Sequence, residues 1–206
     1  MTPVPRVHAV TDDRVLAHRD FPARLASLRG VDDLAVHVRS RTRPAAELMS
    51  VIRRCRELAL TVVVNDRVDL ALAAATDGIH LPADGLPTES ARRLAGPAVW
   101  IGCSAHTPDE ARAATKTGAD YVYLGPIWAT ASHPLRPPLG IAAVAAVPDA
   151  RVIAIGGVTA ARAPDCRRAG AHGIAAISAI WDTPDPGAAA RELLLSFLHG
   201  TESEAQ

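Results

Sequence analysis

Short apolar runs recur along the chain, separated by longer stretches with helical spacing. The runs are Val7–Val10, Leu34–Val38, Thr61–Val64, Gly78–Leu81, Val99–Ser104, Tyr121–Leu124, Val152–Ile155 and Gly173–Ile177. Most are continuously apolar rather than alternating, the pattern of strands covered by helices on one side and by a filled interior on the other. They predict eight parallel strands.

The intervening segments carry helix punctuation. Pro44 opens a helix whose apolar face reads Leu48, Ile52, Cys55 and Ala59, spaced for one side of a helix. Thr107-Pro108-Asp109-Glu110 has the spacing of a capping box, and Thr183-Pro184-Asp185 repeats the start signal before a last helix from Gly187 to about Leu198. The pattern predicts an α/β chain, a single-domain (β/α)8 TIM barrel over residues 1–200, with a disordered polar tail at residues 201–206. A doubly wound open sheet uses the same alternation. Eight units within 206 residues, with no GxGxxG after the first strand, favour closure.

Composition narrows the function. With 49% apolar residues the chain can bury a full core. Twenty-two basic residues balance 22 acidic ones, so no broad positive field is available for nucleic acid or an anionic membrane. A small-molecule partner is expected, and assembly into a homo-oligomer is left open. Cys55, Cys103 and Cys166 are scattered without metal-knuckle spacing, which fits a reducing cytoplasm. The N-terminus has no export signal and no long uncharged apolar stretch occurs. Lys116 is the only lysine, a bias read as genomic.

In a barrel of this kind the chemistry sits just after each strand. Gly156 and Gly157 after the seventh strand, with Ser178 and Ala179 after the eighth, form a candidate phosphate cradle, because glycines let backbone N–H groups approach an anion. The bland alternative is a simple chain turn. Alternation points His37, Arg39 and Arg41 to one face, and arginines in such a place call for an anion; His37 can equally be a satisfied core histidine. Asn65 and Asp66 end the third strand, where they can hold Mg²⁺ or orient a polar ring, or Asp66 can cap the helix Val68–Ala75. Ser104 and His106 follow the fifth strand. Thr130, Ser132 and His133 lie in a long proline-rich loop after the sixth, of the kind that binds ligands.

The segments HAVTDD, HVRSR, VVNDRVDLAL, GIHLP, IGCSAHTPDEA, GADYVYLGPIWATASHP, VIAIGGVT and GIAAISAI together resemble the thiamin phosphate synthase and TenI family over nearly the whole chain. The resemblance implies a TIM barrel and a small phosphorylated thiazole substrate. A synthase of this family couples a pyrimidine methyl pyrophosphate to a thiazole phosphate, with Mg²⁺ and cationic side chains stabilising the departing pyrophosphate. Three positions depart from the synthase pattern. His37, Arg39 and Arg41 stand where synthases have Gln-x-Arg-x-Lys. Asp84 lies one position before the metal-binding carboxylate of the HLGQED run. Thr130-Ala131-Ser132-His133 replaces a Thr-x-Thr-Lys run, putting a titratable imidazole where a fixed cation stands.

These departures favour the TenI branch, whose activity is a thiazole tautomerase. Such an isomerase moves a proton on a thiazole carboxylate phosphate and needs no cofactor. TenI members carry their catalytic histidine in a Gly-His-Val-Phe run, and here Pro126 takes that place. The expected acid/base is therefore His133, with His37 second and His106 third. Arg39 and Arg41 would hold the carboxylate, Asn65, Ser104, Thr130 and Ser132 the substrate, and Gly156, Gly157, Ser178 and Ala179 the phosphate. The alternative is the synthase, a transferase using Mg²⁺ at Asp66 and Asp84. A non-catalytic sensor of thiazole phosphate is the second alternative.

Overall fold

A computed structural model describes residues 3–130 and 136–200. Eight strands, β1 (Val7–Val10), β2 (Leu34–Val38), β3 (Thr61–Asn65), β4 (Gly78–Leu81), β5 (Trp100–Ala105), β6 (Tyr121–Leu124), β7 (Val152–Ile155) and β8 (Gly173–Ala176), close into one parallel barrel in sequence order. Around them run α1 (Asp13–Leu16), α2 (Phe21–Ala26), α3 (Ala45–Glu57), α4 (Val68–Ala73), α5 (Thr88–Ala95), α6 (Pro108–Lys116), α7 (Ala142–Ala145), α8 (Ala163–Arg168), α9 (Ser178–Trp181) and α10 (Pro186–His199). This is a (β/α)8 TIM barrel. Among the described residues no helix is long and apolar enough to cross a membrane.

Several boundaries differ from the sequence expectation for local reasons. Ala59 falls outside α3, because the chain turns into the left-handed region there (φ 57°) and the helix ends at Glu57. Asp66 does not cap α4: it too is left-handed (φ 63°), and Arg67 takes the cap position without a side-chain bond. The last helix is capped by Asp185, whose carboxylate accepts from Ala188 N–H, with Pro186 opening the first turn. The box at Thr107 forms as expected, its hydroxyl accepting from Glu110 N–H. Residues 201–206, expected as a tail, lie outside the described residues.

Strand alternation sorts the side chains into two cores. Facing outward, Val7, Ala9, Val36, Val62, Ile79, Ile101, Val122, Val152 and Ile174 pack beneath the helices. Facing inward, Val10, Ala35, Val63, Trp100, Tyr121, Tyr123, Ile153 and Ala175 fill the barrel. The inward set mixes large and small residues around the ring. Gly102 lies opposite Tyr121 in the β5–β6 register, and a methyl group there would land inside the Tyr121 ring.

Three histidines, His8, His37 and His80, share this interior and are fully buried. They pack against Tyr121 and Tyr123; the His80 and Tyr123 rings lie 4.1 Å apart and those of His37 and Tyr123 5.1 Å apart. Burial disfavours the imidazolium. It is the main cause holding His8 down to about 4 and His80 to about 3, with His8 adding repulsion toward His80. His37 is held well below the usual range by burial, then by His8 and His80.

Two predictions follow from this packing. Gly102→Ala overpacks the interior and should cost roughly 1–3 kcal/mol, seen as a fall of several degrees in the thermal midpoint; an unchanged midpoint contradicts the packing. The histidine layer sets an acid limit. Unfolded imidazoles take up protons near 6.5, whereas the folded His8 and His80 stay neutral to about 4 and 3. Stability is therefore full above about pH 6.5 and declines as pH falls toward 4, on the order of 3 kcal/mol for His8 alone. Urea midpoints measured between about pH 7.5 and pH 4.5 should drop accordingly, and a flat profile contradicts neutral burial.

Candidate active site

The C-terminal ends of all eight strands border one cavity of about 620 Å³. Its walls hold Val10 from β1, Arg39 and Arg41 after β2, Asn65 from β3, His80 and Asp84 from β4 and its loop, and Ser104 and His106 from β5 and its loop. Tyr123, Thr130 and Arg136 come from β6 and the following loop, Gly156 and Gly157 follow β7, and Ser178 and Ala179 follow β8. A second hollow of about 360 Å³ beside Trp181 shares none of these residues.

The β1 loop pins the cationic side of the mouth. Thr11 Oγ1 lies 3.1 Å from the His37 carbonyl and accepts from Arg39 N–H at 2.9 Å. Asp13 accepts from the Ser40 hydroxyl and from Arg41 N–H, at 3.0 Å for the latter. The Ser40 bond is the main cause lowering the Asp13 pKa. The exit of β2 is thereby held in register, so that Arg39 and Arg41 both enter the cavity wall. Partial burial of Arg39, followed by repulsion from Arg41, lowers its pKa. Two neighbouring guanidinium groups that repel each other are stabilised by an anion placed between them.

The opposite wall is built from glycine. Gly156 (φ 92°) and Gly157 (φ 68°) adopt a backbone that side chains rarely tolerate. A methyl group on Gly156 would meet Pro126 Cα at 2.6 Å, and one on Gly157 would meet Trp128 Cβ at 2.8 Å. The loop after β6 is laid directly on this turn: Ile127 N–H donates to the Ile155 carbonyl at 2.9 Å and Trp128 N–H to that of Gly156 at 3.0 Å. Arg162 locks the contact, donating to the Gly157 carbonyl at 2.7 Å while its guanidinium stands 5.1 Å from the centre of the Trp128 ring. Beside the turn, α9 begins at Ser178. A glycine turn and a helix start thus lie side by side in the cavity lining.

Of the residues expected from sequence, Arg39, Arg41, Asn65, Ser104, His106, Thr130, Gly156, Gly157, Ser178, Ala179 and Asp84 converge on this cavity. Asp66 does not line it; its left-handed backbone sits on the exposed turn after β3. His37 points inward but lies below the mouth, with no exposed surface. His106 Nδ1 lies 2.9 Å from the Gly125 carbonyl and so is tied to the start of the loop after β6. Ser132 and His133 lie outside the described residues. Sequence reasoning missed Arg136, His80 and Tyr123. The phase of β4 and β6 could have found the last two, but the loop after β6 has no period from which to place Arg136.

Of the two carboxylates expected to hold Mg²⁺, Asp84 lines the cavity and Asp66 does not. Among the described residues no group of three potential ligands clusters. Asp84 faces the cavity, where one carboxylate beside phosphate oxygens is a common way to hold Mg²⁺.

Comparison with known proteins places this geometry. The chain is 38% identical over 196 residues to a thiamine-phosphate synthase of Roseiflexus castenholzii, covering 91% of this chain and 86% of that one. It is 44% identical over 173 residues to a thiamine-phosphate synthase of Anaeromyxobacter dehalogenans, covering 81% and 78%. Among solved structures, a thiamine phosphate pyrophosphorylase from Pyrococcus furiosus superposes with a TM-score of 0.78 at 28% identity, covering 95% of this chain and 96% of that one. These relatives correct the expectation of a TenI-type thiazole tautomerase, and with it that of an isomerase. That expectation rested on three point departures, at His37, Asp84 and His133, and relatives matched over most of the chain outweigh them. A model of the thiamine monophosphate synthase family matches residues 7–180, and the chain belongs to that family.

Proposed function

We propose that the protein is a thiamin phosphate synthase, a transferase that joins a pyrimidine methyl pyrophosphate to a thiazole phosphate. The observation that carries this reading is a single cavity lined by arginines after β2 and β6 and by a glycine turn after β7. Two substrates that each carry phosphate need two anion stations. In the reaction the bond between the pyrimidine methylene carbon and the pyrophosphate oxygen breaks, and the thiazole nitrogen bonds to that carbon. The electron pair leaves with the pyrophosphate, so catalysis consists mainly of stabilising developing negative charge and holding the nitrogen in line.

Arg39 and Arg41 after β2 take the pyrophosphate, with Arg136 and Thr130 reaching the same cavity from the loop after β6. Arginine keeps its charge throughout, which a histidine near neutrality does not. Gly156, Gly157, Ser178 and Ala179 take the thiazole phosphate through backbone N–H groups. Asn65 and Ser104 face the ring systems from the floor. Asp84 is the residue that would hold Mg²⁺; the ion would supply charge neutralisation on the phosphate oxygens when bound.

Purified protein given both substrates and Mg²⁺ should release thiamin phosphate and pyrophosphate in equal amounts. No product from the pair sinks the synthase reading, and tight binding of thiazole phosphate without turnover would indicate a sensor instead. Arg39→Ala should lower kcat on the order of 10²-fold, as removal of one transition-state donor does, with a smaller change in the KM for the thiazole. Gly157→Ala should act on the other station, raising the thiazole phosphate KM by roughly tenfold or more through its strained backbone. Equal effects of the two variants on both substrates would contradict separate stations.

A further inference from the structure

The floor beneath the cavity is a chain of buried polar atoms whose protons can be counted. His8 Nε2 lies 2.8 Å from the Pro5 carbonyl oxygen. A carbonyl only accepts, so Nε2 carries the hydrogen, and the neutral ring leaves Nδ1 as a lone pair. His37 Nε2 stands 2.7 Å from that Nδ1. Two lone pairs facing each other at this distance repel, so a proton must lie between them, and His37 Nε2 is the atom left to carry it. The Tyr123 hydroxyl, 2.8 Å from His37 Nε2 and 3.0 Å from His8 Nδ1, caps the contact from the side. It does not remove the need for a proton along the line of the two nitrogens.

The consequence passes to Asn65. With Nε2 protonated, the neutral His37 ring has a bare Nδ1, and the Asn65 carboxamide lies 3.2 Å from it with the atom placed as Oδ1 facing the ring. The two ends of a carboxamide have the same shape, so the hydrogen-bond count decides which end faces where. A bare ring nitrogen requires the amide N–H. We infer that Asn65 turns its amide nitrogen inward to His37 and its carbonyl oxygen into the cavity, where that oxygen accepts from a ligand ring bearing an N–H group. His8 and His37 are then positioning residues, buried below the site and acting through Asn65.

A second string runs in parallel on the far side of β4. Tyr121 Oη lies 3.2 Å from His80 Nδ1, and His80 Nε2 lies 3.0 Å from Ser104 Oγ. When the phenol donates to Nδ1, His80 donates to Ser104, and the serine hydroxyl is free to donate upward. The floor then offers one acceptor from Asn65 and one donor from Ser104. That pair fits a nitrogen heterocycle carrying an amino group beside a ring nitrogen. The polarity of the buried chain is independent of the reaction; only the assignment of this ring to the pyrimidine substrate rests on the synthase reading.

The test begins with histidine-selective ¹⁵N NMR on the substrate-free wild-type protein near neutral pH. His8 and His37 should both show a protonated Nε2 and a bare Nδ1. A His37 with its proton on Nδ1 overturns the inference whatever the enzyme catalyses. Two variants extend the test to function. Glutamine at position 37 can donate to His8 through its amide nitrogen and accept from Asn65 through its oxygen, preserving the direction of the chain; methionine can do neither. His37→Met should raise the KM for the pyrimidine substrate roughly tenfold, the worth of about one hydrogen bond, while kcat changes less. His37→Gln should restore most of that loss. Equal KM values for the methionine and glutamine variants contradict the positioning role.

Discussion

Each strand in a closed barrel can turn a given side chain only inward or outward, and a slip of one residue exchanges the two sets. This constraint carries the site. The pairing of His37 with Val63, Asn65 with His80, His80 with Gly102, and Ser104 with Tyr123 keeps the inward phase continuous from β2 to β6. Because Ala35 and His37 face inward, Arg39 and Arg41 continue on the same face beyond the strand end. Inward Val63 likewise delivers Asn65, and inward Gly102 delivers Ser104. The cavity mouth is the last layer of the same alternation that packs the core.

That alternation also explains why the interior is so polar for a buried space. His8, His37 and His80 fill a layer between apolar residues below and the cavity above, and each finds hydrogen-bond partners there. Buried polar groups are tolerated when they are all satisfied, and a satisfied network fixes orientation as well as position. Rigid orientation suits chemistry that depends on charges held in place rather than on a moving base. The neutrality of the three imidazoles keeps positive charge confined to the arginines at the rim.

Much of this architecture was readable before any coordinates. The strands announced themselves as short β-branched runs, and the inward direction of Arg39 and Arg41 followed from the period of two. The glycine pair after β7 also stood where a barrel binds phosphate. What could not be read were features set by tertiary contacts. The burial of His37 depends on Tyr123 and His8, which lie 86 and 29 residues away in the chain. The left-handed turn at Asp66 removes a carboxylate that spacing alone had placed at the mouth. Arg136 sits in a proline-rich loop without periodicity. The choice of branch rested on three point departures, and relatives matched over most of the chain overturned it.

The central claim is that one cavity holds two separate anion stations, an arginine wall and a glycine wall. A crystal structure with pyrophosphate and thiazole phosphate bound together tests it most directly. The account predicts pyrophosphate against Arg39, Arg41 and Arg136, and the thiazole phosphate on the backbone of Gly156, Gly157, Ser178 and Ala179. Both anions competing for the same wall, or either one bound away from this mouth, would contradict it.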